Sequence, residues 1–389
     1  MDKQNNPPEP ASGLITRREL IKSGMIGACA LCMTALGGVY GKSHASSAKK
    51  GFMRPTQSPW FSPLSNAAIQ CELCPKQCHV PPGKRGTCRV RENRDGQGYT
   101  LAWGNPALVQ MDPVERIPFF HVLPGTRALS VSTAGCPLEC KFCEVWDMAL
   151  ADPEEIHAYD LLPETIVSQA KSAGAQSISY AFGEPVAFYE YMNDIAGIAK
   201  AEGLLNLMHT SGYISPEPLQ AIVEKLDAVN IDLKGFDPDF YREMVGGELQ
   251  PVKNTMKMLK RANVHIEITN LVIPTLNDDI KQVKKMCEWI ITELGADTPV
   301  HFGRFYPLYK LSNLPQTPVS TLDDVRDTAI TAGLSYVYVA RVTGHEGENT
   351  FCGECREKII DRMGFIIEKM HIKDGKCGFC DAPIAGRWA

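Results

Sequence analysis

Between residues 128 and 340, short apolar runs rich in β-branched and aromatic residues alternate with longer stretches whose apolar positions recur at helical spacing. Runs at 128–132, 177–182, 205–209, 228–233, 265–273, 300–305 and 336–339 predict strands. Stretches at 163–173, 187–201, 216–223, 253–262, 281–294 and 322–332 predict helices. A strand followed by a helix and a further strand returns in the same direction, so this alternation implies a parallel sheet with crossover helices. The expected fold class is α/β, a partial or full (β/α) barrel of TIM-like type. Side chains that perform chemistry in such a fold gather at the carboxyl ends of the strands.

Outside this block the pattern changes. Residues 1–13 are polar and proline-rich, followed by Thr16-Arg17-Arg18-Glu19-Leu20, a charge-free run over 23–41 and a small-residue stretch over 43–48. Segment 1–48 therefore predicts a secretory signal, and its paired arginines resemble the twin-arginine type that exports folded chains. A membrane anchor is the alternative, weakened by glycines at 24, 27, 37, 38 and 41. The segment points to the periplasm or cell envelope, with membrane contact only through the signal if it stays uncleaved. Residues 49–68, with Pro55, Pro59 and Pro63, read as a linker.

Composition adds two facts. A net charge of −5 leaves no basic excess to neutralise phosphates, which argues against a nucleic-acid partner. The 14 cysteines are clustered rather than scattered, with only Cys29, Cys32 and Cys287 standing apart. Cys71, Cys74, Cys78 and Cys88, in a module at 69–100, surround turn-forming prolines and glycine and have no core of their own. Such a piece needs a metal, zinc or an iron–sulfur cluster, with disulfides as the rival in an exported chain. In a module at 344–389, Cys352-x2-Cys355 and Cys377-x2-Cys380 lie 21 residues apart, a spacing that predicts a closed zinc ribbon, with iron as the alternative.

The third cluster is of another kind. Cys136, Cys140 and Cys143 follow the first strand of the 101–343 block at Cys-x3-Cys-x2-Cys spacing. Three thiolates can hold three irons of a cubane and leave the fourth open to a small molecule, whereas electron-transfer clusters are closed by four. The other strand ends carry Gly183-Glu184-Pro185, Ser211-Gly212-Tyr213 and Asp232-Leu233-Lys234-Gly235. Glu267, Asn270 and Arg304 are placed with them. His121, His209 and His301 receive no ligand role, because a lone histidine beside a strand more often packs in the core.

With Phe142 directly before its third cysteine, the loop resembles that of the radical S-adenosylmethionine (SAM) superfamily. Over 71–380 the chain resembles more closely the radical SAM component of the AmmeMemoRadiSam system, related to pyruvate formate-lyase activating enzymes. The likeness is carried by CELCPKQC, STAGCPLECKFCEVW, NIDLKGFDPDFYREMVGG, IEITNLVIPTLNDD, HFGRFYPLYK and GHEGENTFCGEC. The resemblance implies an oxidoreductase-type radical enzyme with a [4Fe–4S] cluster on Cys136, Cys140 and Cys143, and SAM as cofactor. It implies that Gly183, Glu184, Pro185, Ser211, Asp232 and Lys234 hold the methionine end of SAM. A flavodoxin- or ferredoxin-like reductant and a protein substrate, as for glycyl-radical activases, are the implied partners. The chain departs from the pattern at Phe182, where the superfamily has glycine, and at Ser211, where the family often has asparagine. The alternative is an exported iron–sulfur electron carrier that no longer uses SAM. Export favours that reading, because SAM and low-potential reductants are cytoplasmic.

Overall fold

The computed structural model describes residues 47–388, so the export signal expected over 1–48, with Cys29 and Cys32, lies almost wholly outside the described residues. Eight strands form one sheet: β1 (Leu108–Pro113), β2 (Arg127–Ser132), β3 (Ser177–Tyr180), β4 (Leu205–Thr210), β5 (Ala228–Asp232), β6 (His265–Val272), β7 (Val300–Arg304) and β8 (Val337–Ala340). Their spatial order is their chain order. From β2 to β8 every pairing is parallel. The crossovers carry α1 (Pro163–Ser172), α2 (Tyr189–Ala201), α3 (Pro216–Ile222), α4 (Leu249–Arg261), α5 (Ile280–Leu294) and α6 (Val319–Ala332).

The alternation read from the sequence thus becomes a parallel sheet, with two differences. Strand β1 was not anticipated. Its sequence LVQMDP lacks a clean two-residue period, and it pairs antiparallel on the outer edge of β2. Strands β1 and β8 occupy opposite edges and are not paired to each other, so the sheet is open rather than a fully closed barrel. Helix α4 begins at Leu249, four residues before the predicted start, because Pro251 falls in its first turn, where a missing N–H costs nothing.

Burial of both faces explains why the strands read as continuous apolar runs. All four residues of β3 are buried, and α2 covers the sheet with Met192, Ile195, Ala196 and Ala199. A large apolar side chain so buried contributes about 1.5–3 kcal/mol.

The stretch read as a linker is built into the fold. Thr56–Gln57 pairs with Gln97–Thr100, and Phe61–Pro63 pairs with Ile69–Cys71. Buried Ser58 donates to Glu190 Oε1 at 2.5 Å and accepts from Arg91. Arg91 also forms a two-pronged pair with Glu190, at 3.0 and 2.8 Å, inside the protein. Burial alone would raise the Glu190 carboxyl, but Arg91 reverses this and holds it below its usual range. Glu190→Ala would leave the Arg91 guanidinium buried without its counter-charge. The expected cost is about 3–5 kcal/mol in chemical denaturation, against under about 0.5 kcal/mol for a surface glutamate.

Toward the amino ends of the strands a buried polar network joins the sheet to the C-terminal cysteine module. Glu267 accepts from the backbone N–H groups of Phe120 (3.0 Å) and His121 (2.8 Å), and it pairs with His301 Nε2 (2.6 Å). Arg362 donates to Thr350 Oγ1 (2.6 Å) and to the Phe120 carbonyl (2.9 Å). Glu267 and His301 therefore hold the underside together. The strand-end grouping that placed Glu267 with the reactive loops is corrected: its side chain is engaged with Phe120, His121 and His301.

Candidate functional site

The loop after β2 carries Cys136, Cys140 and Cys143, and its shape is imposed by a segment more than 90 residues downstream. Glu139 N–H donates to the Val245 carbonyl (3.0 Å) and Lys141 N–H to the Met244 carbonyl (2.9 Å). Both acceptors belong to a single wide turn, Tyr241–Val245, of the NIDLKGFDPDFYREMVGG stretch. Phe142 is buried and stacks on Phe240 of the same stretch, centroids 6.0 Å apart. The aromatic residue before the third cysteine thus anchors the loop rather than facing solvent.

The three thiols are free of disulfides; Cys140 is buried and the other two are partly so. Burial pushes the Cys136 thiol well up, with the Glu184 charge adding to it. Burial pushes Cys140 up to about 12, opposed by Lys234. The Glu184 charge thus acts on Cys136 and the Lys234 charge on Cys140. Three unpaired thiols on one loop, with a lysine whose charge acts on Cys140 and Cys143, form a donor set suited to iron–sulfur chemistry.

Gly183-Glu184-Pro185 follows β3. Phe182 adopts φ of +68°, the left-handed region that costs a non-glycine residue about 1 kcal/mol or more, and the Arg116 guanidinium lies 5.2 Å from its ring centre. A glycine here would meet no such cost. Gly183 itself is required: a Cβ there would sit 2.3 Å from Ser132 Oγ. The Glu184 carboxylate is buried and fully caged. Its Oε1 accepts from Thr210 Oγ1 (2.6 Å) and Val186 N–H (3.1 Å). Its Oε2 accepts from Ser211 N–H (2.9 Å) and Ser211 Oγ (2.6 Å). Ser211, a departure from the family pattern, is thus a donor to Glu184.

Asp232 ends β5. Its Oδ2 accepts from Lys234 Nζ (2.6 Å) and its Oδ1 from His209 Nε2 (2.9 Å). Burial would raise the Asp232 carboxyl, but Lys234 and then His209 hold it well below the usual range. Burial would lower the Lys234 ammonium, and Asp232 lifts it above its ordinary value instead. The lysine backbone is fixed as well: Lys234 N–H donates to Tyr241 Oη (3.1 Å), and Asn277 Nδ2 donates to the Lys234 carbonyl (2.8 Å).

His209 was set aside in the sequence, yet the structure places it on Asp232. No linear signal marks it: His209 meets Asp232 only because β4 and β5 lie side by side. Asn270 donates to the Leu233 carbonyl (2.7 Å), so it braces this loop, and Arg304 Nε donates to the Thr317 carbonyl (2.8 Å).

Cys352, Cys355, Cys377 and Cys380 bring their sulfurs within 4.8 Å of one another, the only such group of potential ligands among the described residues. The pairs Cys352–Cys380 and Cys355–Cys377 are each 3.7 Å apart.

An α/β sheet presenting three free thiols, a caged carboxylate and a lysine–aspartate pair on its loops has the donor set that suits proteins built around a site-open iron–sulfur cluster. The family model of the radical SAM superfamily matches residues 130–289, which span all of these groups. MJ0808, an uncharacterized protein of Methanocaldococcus jannaschii, is 38% identical over 330 residues, covering 84% of this chain and 98% of its own. The pyruvate formate-lyase-activating enzyme of Clostridium pasteurianum is 27% identical over 173 residues, 43% of this chain and 70% of that enzyme. Among solved structures, a radical SAM methyltransferase from Sphaerobacter thermophilus covers 80% of this chain and 81% of its own, at 13% identity and a TM-score of 0.44. The chain belongs to the radical SAM superfamily, as a relative of the pyruvate formate-lyase activating enzymes. A [4Fe–4S] cluster and SAM are the cofactors that this family implies.

Proposed function

We propose that the chain cleaves SAM reductively at Cys136, Cys140 and Cys143 and directs the resulting radical to a protein substrate, as glycyl-radical activases do. The observation that carries this is the retention, around the three thiols, of charged groups for which an electron carrier has no use. A [4Fe–4S] cluster held by Cys136, Cys140 and Cys143 would supply the electron for reductive cleavage of the SAM carbon–sulfur bond, and SAM bound beside it would supply the hydrogen-abstracting carbon radical.

The residues serve the methionine end of SAM. Lys234, charged at all working pH values because Asp232 faces it, suits the carboxylate. Glu184 suits the ammonium, and the Thr210 and Ser211 hydroxyls can rotate off its oxygens to free a lone pair, whereas the two backbone donors stay fixed. Gly183 and Pro185 shape this turn.

In the C-terminal module zinc is the proposed metal. A tetrahedron with Zn–S of about 2.3 Å has edges of roughly 3.8 Å, and the two measured sulfur pairs are at 3.7 Å. Four thiolates leave no open position, which supports a structural role. The closer likeness to the AmmeMemoRadiSam component, a flavodoxin- or ferredoxin-like donor and export of the folded, cluster-loaded chain belong to the same proposal. Cell fractionation with the native N-terminus tests the last.

The test of the reaction is anaerobic reconstitution with iron and sulfide, addition of a strong reductant and SAM, and chromatography. Methionine and 5′-deoxyadenosine in equal amounts are expected. No product from protein whose cluster is spectroscopically intact would overturn the reading.

A further inference from the structure

The N-terminal cysteines are left over from this chemistry, and their surroundings are unusual. Cys71, Cys74 and Cys88 are buried, Cys78 is partly so, and none forms a disulfide. They wall one small cavity together with Arg91, Pro137 and Val186. Arg91 is buried, its charge acts on Cys71 and Cys88, and its Nε–H has no partner. Glu190 neutralises the guanidinium, yet the buried Nε–H still lacks an acceptor, a cost that an acceptor bound among the thiols would remove.

The spacing selects the group. A single zinc ion needs its four thiolates close together, as the sulfurs of the C-terminal quartet are. The N-terminal sulfurs are not gathered within 4.8 Å of one another, and neither are those of Cys136, Cys140 and Cys143. A wider cradle suits a polynuclear cluster, whose several irons each take one thiolate.

The cradle also lies against the central loop. Gly135, at φ of +105° directly before Cys136, leaves room for it: a Cβ there would meet Val90 at 2.6 Å and the Cys88 carbonyl at 3.1 Å. Pro137, directly after Cys136, lines the same cavity as the four cysteines. Ser215 N–H, on the loop after β4, donates to the Leu73 carbonyl (3.0 Å).

We propose that Cys71, Cys74, Cys78 and Cys88 hold a second iron–sulfur cluster that relays electrons to the cluster on Cys136, Cys140 and Cys143. A one-electron protein donor of ferredoxin or flavodoxin type reduces the N-terminal cluster. That cluster is reoxidised as it passes the electron inward, and the central cluster is reduced by one electron; no atom or proton moves. The relay rests on the SAM-cleavage reading above, whereas the cluster itself does not.

The experiment therefore starts from the full-length Cys136→Ala/Cys140→Ala/Cys143→Ala chain, reconstituted anaerobically with iron and sulfide. It should keep about half of the wild-type iron and sulfide, and on reduction give an electron paramagnetic resonance signal that SAM does not alter. Because this chain has no SAM cluster, the result reads the N-terminal site whatever becomes of the proposed reaction. An iron-free chain with unchanged circular dichroism, or zinc in the N-terminal site, would overturn the cluster.

If the triple variant does not fold, the wild type carries the test. A second reduced cluster signal insensitive to SAM supports the proposal, and one cluster alone overturns it. For the relay, Cys74→Ala should lower the rate at which a reduced ferredoxin reduces the central cluster, relative to dithionite, by roughly tenfold or more. An equal ratio in variant and wild type would overturn the relay.

Discussion

Cys140→Ala is expected to lower SAM cleavage at least ~10³-fold, a barrier rise of about 4 kcal/mol. It should remove the iron of the central cluster while sparing metal bound at Cys352, Cys355, Cys377 and Cys380. Of the three thiols, Cys140 is the one most firmly set in protein. It is buried, it lies 3.9 Å from the Val245 carbonyl, and its neighbours on either side are pinned to the Tyr241–Val245 turn. The two remaining thiols can hold only part of a cubane. Iron, sulfide and zinc per chain, measured beside 5′-deoxyadenosine formation, check both halves of the expectation. Unchanged iron with full activity would show that the cluster is held elsewhere.

The pattern of strands and helices was legible because both faces of the parallel strands are buried. Their apolar runs therefore stand out against the amphipathic helices between them. Strand β1 was not, because an edge strand buried on few positions leaves no periodic trace. Within the site, Cys136, Glu184, Asp232 and Lys234 could be picked out from residue type and position at strand ends. What could not be read was which groups satisfy them. Thr210, Ser211 and Val186 reach Glu184 only because β3 and β4 lie side by side, and Tyr241 and Asn277 fix Lys234 from two different loops. Linear spacing carries no such information. Glu267 was misplaced for the same reason: a glutamate on a strand signals chemistry until its partners, the Phe120 and His121 amides, are seen.

Glu184→Gln should weaken SAM binding by about 10–100-fold while leaving iron and sulfide content unchanged, because it breaks the cage without touching a thiol. Each carboxylate oxygen faces one hydroxyl and one backbone N–H. The amide nitrogen of glutamine, in either orientation, must face one of those backbone N–H groups, Val186 or Ser211. The hydroxyls can rotate away, but the backbone donor cannot. The loss is one buried, charge-assisted bond, about 1–3 kcal/mol, together with the negative charge that an ammonium would meet. Ser211→Ala removes a single hydroxyl donor and keeps the backbone bond, so its effect should stay near 1 kcal/mol, about fivefold. Calorimetric titration of reconstituted protein with SAM, beside iron analysis of each variant, separates two roles for the glutamate. A purely architectural Glu184 would lower stability and cluster content with SAM affinity preserved in the loaded fraction, and would leave Asp232 to meet the SAM ammonium. A Glu184 that receives the ammonium would lose SAM affinity in a chain that still holds its iron.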